Sequence, residues 1–439
     1  MQKTKENIAL VWFRNDLRIQ DQYSLHGAIE NAQKVIALYC LDPRHFKKSS
    51  FGFLKTNVFR SKFLLETLSN LKANLNKLNI SLLVYQGKPE KIIANLQQRL
   101  GITHIYFQKE WTTEEMRVEA WVRKSMEDKE VTLVPVFDQF LIHPDELIMG
   151  IEQIPDVFTD FRKNIEKYSK IRPTLEIPKN LPKKNLIEIE HDIPTLEDLG
   201  FEQPLISSKT AFPFIGGEKS GLNRINHYFF ETGKLGKYKE TRNDLIGVDY
   251  SSKLSAWLAN GSISPRTIYW AVKAFEKRYI LNQSTYWLIF ELMWRDYFKY
   301  VSLKHGSAIF SVKGIRRKRK SWQKESKLIQ QWIDGETEEP FVNANMIELK
   351  RTGWMSNRGR QNVASYFAKT LGMDWRIGAS YFESMLIDYD VHSNYGNWMY
   401  VSGVGNDPRN RTFDISLQAQ RYDPKQKYQN IWLQKTLFE

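Results

Sequence analysis

Five short apolar runs, separated mostly by segments of helix length, fill the first 140 residues and narrow the fold more than any other feature. Ile8 to Phe13, Val35 to Cys40, Ser81 to Tyr85, His104 to Phe107 and Val131 to Val136 read as strands; Val58 to Leu78 and Lys88 to Leu100 read as helices. Continuous apolar strands joined by helical crossovers imply a parallel sheet covered on both faces. Residues 1–140 are therefore expected to form an α/β, doubly wound parallel-sheet domain. The turn after the first strand is Arg14-Asn15-Asp16-Leu17-Arg18, without a glycine fingerprint, which excludes an ordinary NAD site.

At 439 residues the chain exceeds one compact core, so a second domain must follow. Six of the fifteen prolines fall between residues 150 and 205, which marks 141–205 as a connector wrapping over the surface. From 206 to 439 the pattern is helical, and ten of the thirteen tryptophans lie beyond residue 250. Tryptophans in such numbers are first of all the makings of a large core.

Composition removes several classes of function. Hydrophobic content of 42% with 26% charged residues fits a soluble globular protein, and no apolar run reaches membrane-spanning length. The single cysteine, Cys40, excludes an intramolecular disulfide and makes thiol catalysis or a cysteine-based zinc site a poor expectation. No metal site is expected. The amino terminus has no signal-peptide pattern, so the expected location is cytoplasmic. A net charge of +14 and a pI near 9.4 point to a polyanionic partner held through its phosphates.

Two polar stretches interrupt what otherwise reads as buried helix: Gly353 to Asn362 (GWMSNRGRQN) and Asp388 to Trp398 (DYDVHSNYGNW). Buried charges must pair or hold a polar ligand. Upstream, Tyr238 precedes Ser251-Ser252-Lys253-Leu254-Ser255 and then Ser264-Pro265-Arg266. Hydroxyls and amides at helix starts suit a pyrophosphate, although serine clusters are also what helix caps look like. Glu291, Trp294, Arg295 and Phe298 recur at i, i+3, i+4 and i+7, on one helical face. That stripe suits a lined cavity, or a helix–helix ion pair flanked by aromatics.

These residues resemble the flavin-binding core of the photolyase/cryptochrome family, most closely its cryptochrome DASH branch, and Val11 to Arg18 resembles the family's amino-terminal signature. The resemblance runs along nearly the whole chain and implies an all-α, FAD-binding carboxy-terminal domain. FAD would be held by Tyr238, Ser251, Ser252, Lys253, Leu254, Ser255, Glu291, Arg295, Asn357, Arg360, Asp388, Asp390 and Asn394. Arg360 matches the arginine that pairs with an aspartate, here Asp388, and Asn394 matches the asparagine facing the central flavin nitrogen. Glu291 and Trp294 match the residues that meet a damaged base, and Asn357 one near both flavin and substrate. Trp398, Trp375 and Trp322 match the three-tryptophan electron relay. Glu110 matches an acid that contacts a methenyltetrahydrofolate antenna; with Lys109 it could also be a strand-end charge pair.

Tyr395 to Arg409 resembles the DASH signature, with Tyr400 where duplex-repairing relatives often carry a second cavity tryptophan. A smaller ring is a weaker stacking wall, which implies preference for single-stranded DNA, where extracting a dimer costs least. Arg316, Arg317 and Arg358, with Trp294 and Tyr400, are the expected DNA contacts; the Arg316 to Lys320 run either grips phosphate or is simply solvated. His392 reads as an inert loop residue or as a tuner of flavin protonation, the former being preferred. The implied function is blue-light repair of cyclobutane pyrimidine dimers by electron transfer from excited reduced FAD, in a monomer. The alternative is a photoreceptor that signals through flavin photoreduction and nucleic-acid or protein binding.

Overall fold

The computed structural model describes residues 6–189, 192–409 and 411–434. Its first layer is the expected sheet. Strands β1 (Ile8–Phe13), β2 (Lys34–Leu41), β3 (Leu82–Gln86), β4 (His104–Gln108) and β5 (Thr132–Val136) are all parallel, in the order β3-β2-β1-β4-β5. Helices α1 (Tyr23–Asn31), α2 (Val58–Lys77), α3 (Pro89–Leu100) and α4 (Thr113–Lys124) cross over between them. Side-chain alternation sorts the strands into two cores. Ala9, Val11 and Phe13 of β1 pack with Leu25 and Leu68 on one face, whereas Leu10 and Trp12 pack with Ile93 and Val118 on the other.

Strand order reverses between β1 and β4, and the crevice at their carboxyl ends is where such sheets bind ligands. The turn after β1 also joins the two layers. Arg18 is almost fully buried and reaches Asp138 at 2.6 Å; Asp138 in turn accepts from Arg266 at 2.6 Å, which also pairs with Asp21 at 3.0 Å. Gly261 closes this joint: its φ is +71°, and a Cβ there would lie 2.0 Å from the Asn15 carbonyl oxygen. Ser264-Pro265-Arg266, expected near a phosphate, is thus spent on the interdomain ion network.

The connector differs from expectation. Within it α5 (Phe158–Tyr168) forms, and it buries Phe158, Phe161 and Ile165 in the helical core rather than only wrapping the surface. Its apolar residues at i, i+3 and i+7 outweigh the surrounding prolines.

The remainder is helical: α6 (Glu218–Ile225), α7 (Tyr238–Thr241), α8 (Ser255–Ala259), α9 (Pro265–Arg278), α10 (Gln283–His305), α11 (Ser326–Asp334), α12 (Pro340–Thr352), α13 (Asn357–Ser365), α14 (Trp375–Met385), α15 (Val391–Ser402), α16 (Ile415–Tyr422) and α17 (Lys427–Leu433). Helix α10 starts in a reciprocal cap between Asn282 and Thr285. The two polar stretches open α13 and α15; α15 packs on α10, and α13 packs on α15 and α12. Ser356 caps α13 by accepting from the Gly359 amide, and Asp390 caps α15 by accepting from the Ser393 amide at 2.8 Å. Among the described residues no helix is long and apolar enough to cross a membrane, and no cluster could hold a metal ion.

Candidate functional site

A cavity of about 250 Å³ opens where α7, the loop before α8, α10, α13 and the start of α15 converge. Its lining includes Tyr238, Ser251 to Ser255, Glu291, Arg295, Asn357, Arg360, Asp388 and Asp390, all of them expected from the sequence. The serine loop is held from behind: Arg224 donates to the carbonyls of Ser251 and Ser252 at 3.0 Å each and pairs with Asp249 at 2.6 Å. Within that loop Lys253 adopts φ +62°, an unusual conformation for a residue with a side chain. Its buried Nζ has no hydrogen-bond partner and sits 3.0 Å from the Tyr250 ring centroid. Burial pushes its pKa well below the usual lysine value, against the pull of Glu348. The amine thus lies against aromatic rings with no acceptor, and the serine loop that carries it offers hydroxyls and amides to a diphosphate.

Opposite the loop, the Arg360 guanidinium donates to both oxygens of Asp388, at 2.9 and 3.0 Å, and to the Met355 carbonyl at 2.9 Å. The expected pair is therefore formed, on the wall of the cavity. Asp390 pairs with Lys299 at 3.0 Å. Burial alone would raise the Asp390 pKa, but Lys299, Arg295 and the Ser393 amide hold it far below the usual carboxylate range. It is ionised at any ordinary pH. Asn394 is buried behind Ser393, and its Nδ2 donates to the Ala379 carbonyl at 2.9 Å. It is not among the residues that line the cavity.

Glu291 and Trp294 part company. Glu291 lines the cavity and forms an ion pair with Arg242; burial raises its pKa and Arg242 opposes the shift. Arg242 was not expected from the sequence, although it lies four residues after Tyr238, one helical turn away. Tyr250, which sequence reasoning did not single out, and Trp354, within the first polar stretch but given no role there, are further lining residues. Trp294 lies outside the lining. Phe158 of the connector stacks on it with ring centroids 3.7 Å apart, and Tyr400 meets it edge-on at 5.9 Å. The i, i+4 pair Glu291 and Arg295 thus faces the cavity, while Trp294 and Phe298 pack together beside it, 5.5 Å apart.

Trp398 and Trp375 are buried in one core, with Trp322 packed against its edge. The benzo ring of Trp398 rests on Gly378, where a Cβ would come within 2.2 Å of its Cη2, one turn along α14 from Trp375. Its described ring contacts, however, are to Phe382, Phe367 and Trp332, at 5.1, 6.0 and 6.3 Å. Trp375 donates to the Val312 carbonyl, and Trp322 carries Lys320 over its ring at 5.4 Å. Arg316 and Arg317 are exposed, as a phosphate-gripping pair must be. Arg358 is half-buried, resting on Tyr422 at 4.5 Å and donating to Asn243 and Gln361.

A larger cavity, about 510 Å³, lies between the layers at the sheet's switch point. Glu110 lines it, pairs with Arg14 at 3.1 Å and accepts from Asn15 at 2.8 Å. Lys109 turns instead to Glu119 at 2.7 Å, so the alternative of a Lys109–Glu110 charge pair does not form. Arg295 and Asp390 line both cavities. His392 is no loop residue: it is buried in the first turn of α15, stacks on Trp111 at 4.7 Å and bonds Ser302 at 2.7 Å.

Fold and cavities together define a two-layer protein with one site at the sheet switch point and one inside a helical domain. Comparison with known proteins agrees. Residues 9–182 match the DNA photolyase family model, and residues 287–436 match the FAD binding domain of DNA photolyase. Cryptochrome DASH of Gloeobacter violaceus is 47% identical over 97% of this chain and 85% of its own length; that of Xenopus laevis is 46% identical over 97% and 82%. The crystal structure of a Synechocystis cryptochrome, 45% identical, superposes with a TM-score of 0.94 over 98% of this chain and 89% of that one. A bacterial class III photolyase from Agrobacterium tumefaciens, 25% identical, gives 0.83 over 98% and 87%. The chain belongs to the cryptochrome DASH group of the photolyase/cryptochrome family. It is a flavin-dependent protein with FAD as its cofactor.

Proposed function

We propose that the protein repairs cyclobutane pyrimidine dimers in DNA under blue light, with preference for single strands. The observation that carries this reading is the placing of Glu291: its carboxylate, with a side chain 30% exposed, stands on the rim of the smaller cavity beside exposed Asn357. A cofactor site that opens to solvent lets a base brought in from outside approach the electron donor closely.

Bound FAD, in its reduced form, would supply a photoexcitable electron donor for the dimer, with no net redox change. The loop Ser251 to Ser255, Lys253 and Tyr238 would hold the diphosphate portion. Arg360–Asp388 and Asp390–Lys299 place two fixed, oppositely charged pairs along the wall, so the pocket need not reorganise as charge moves. Glu291, paired with Arg242, would meet the polar edge of the dimer at the rim. Asn357 would orient the base at the rim, and Asn394 the ring from behind. Trp322, Trp375 and Trp398 form the proposed relay from the surface inward. Trp294 with Tyr400, and exposed Arg316 and Arg317, would face the flanking strand; Arg358 would steady it through the Tyr422 platform.

A methenyltetrahydrofolate antenna is proposed for the interdomain cavity, on the strength of its position and of Glu110 within it. A second reading, light signalling, is favoured by the cryptochrome names of the relatives and by the same tryptophan core. The test is loss of dimers from ultraviolet-irradiated oligothymidylate under blue light and in the dark. Light-dependent loss that falls at least tenfold in Glu291→Ala supports repair; equal loss in light and dark contradicts it.

A further inference from the structure

The outer ring of the proposed relay has a positive charge fixed beside it. Lys320 Nζ sits 5.4 Å over the Trp322 ring centroid and donates to the Ser402 carbonyl at 2.6 Å. Ser402 is the last residue of α15, and the carbonyl end of a helix attracts a cation. The ring is anchored as well. The next residue, Gln323, donates from its amide to the Gly372 carbonyl and accepts from the Asp374 amide, both at 2.9 Å, which ties it to the start of α14. Amine and ring are thus held in place by two different helices.

Lys320 belongs to a cluster. Its amine is hydrogen-bonded to that of Lys369, and Lys318 stands close to both. Burial lowers the Lys320 pKa, and the bond to Lys369 opposes the shift; burial and Lys320 bring the Lys369 value down to about 8, with Asp407 pulling back. The bond therefore favours charge on Lys320 over charge on Lys369. The inner rings meet neutral groups instead: Trp375 donates to the Val312 carbonyl, and Trp398 contacts Phe382, Phe367 and Trp332.

A neutral indole attracts a cation to its negative face. Once the ring has lost an electron it is itself positive, and the same ammonium repels it. We propose that Lys320 is an electrostatic brake on the relay, its fixed charge favouring return of the electron to Trp322 and so limiting the yield of flavin photoreduction. This rests on the reading of Trp322 as the relay's outer ring. In each productive event one electron leaves Trp322 and one reaches the flavin; a thiol in solution returns the missing electron to Trp322 and is itself oxidised.

The test follows bleaching of bound FAD under blue light, with dithiothreitol, in wild type and four variants. Lys320→Met removes the charge and should raise the initial yield about threefold. Lys320→Gln also removes it but keeps a donor for the Ser402 carbonyl, and serves should Lys320→Met fail to fold. Lys320→Arg keeps the charge and should stay near wild type. Trp322→Phe should lose most photoreduction. A second readout needs no light: lysine side-chain NMR should find Lys369 titrating near 8 in wild type and higher in Lys320→Met or Lys320→Gln. Equal yields in wild type and the neutral variants, with Trp322→Phe impaired, overturn the brake and leave the relay standing. Normal photoreduction in Trp322→Phe overturns both. A Lys369 titration that ignores the loss of Lys320 overturns the placement of the ammonium on which the brake depends.

Discussion

At the scale of single residues, the cavity's polar groups divide into those that charge logic finds and those that only packing decides. Arg360 and Asp388 lie 28 positions apart; that each needs a buried partner follows from charge, but that they partner each other was legible only through the family resemblance. Arg360→Ala should cost about 3 kcal/mol in denaturant unfolding, the low end for breaking a buried pair, because the guanidinium is 24% exposed. The same variant should release FAD more readily. Unchanged stability and FAD occupancy would remove Arg360 from the pocket. Trp294 was harder to place. Its spacing put it on the Glu291 face, but a helical stripe is wide enough to border both a cavity and a core, and Phe158, over a hundred residues away in sequence, decided which. Arg242 went unseen because its role depends on where α7 meets α10, which no local pattern encodes.

Among the elements, the five strands and their crossovers were readable because continuous apolar runs permit little else. Helix α5 was hidden among prolines, and its burial depends on aromatic partners in α10. The contact between α12 and α17 gives a test of electrostatics. Glu348, buried on α12, accepts from Tyr428 of α17 at 2.5 Å. Burial raises its pKa to about 7 against 4.5 for an ordinary glutamate, although Tyr428 and Lys253 oppose the shift. An acid whose folded value is raised favours folding most at low pH. That advantage is lost between about pH 4.5 and 7, as the unfolded chain ionises first, and the penalty stays constant above. Glu348→Gln should therefore stabilise the protein at pH 8 by up to about 3 kcal/mol and change little at pH 4. An equal effect at both pH values would show that Glu348 acts through packing alone. For α14 and α15, Trp398→Phe should slow flavin photoreduction sharply, read by the bleaching of bound FAD under blue light. Normal photoreduction would return Trp398 to a packing role and direct attention to another route.

For the whole molecule, a charge of +14 and a rim bearing Glu291 and Asn357 describe a protein drawn to phosphate and open to a base. Binding to single-stranded DNA should weaken with salt, and removing one phosphate contact should lower the slope of log affinity against log salt by about 0.7. Arg317→Ala measured across a salt series tests whether the exposed run at Arg316 to Lys320 takes part; an unchanged slope would leave it simply solvated. Tyr400, edge-on to Trp294, offers less stacking area than a tryptophan would, and flipping a base from a duplex costs a few kcal/mol that a single strand largely spares. The most direct measurement is light-driven repair of one dimer in matched single-stranded, bubble and duplex DNA at a single salt concentration. The account predicts efficient repair in the single strand and the bubble and poor repair in the duplex. No repair of any of the three, in protein whose flavin still photoreduces, would contradict it.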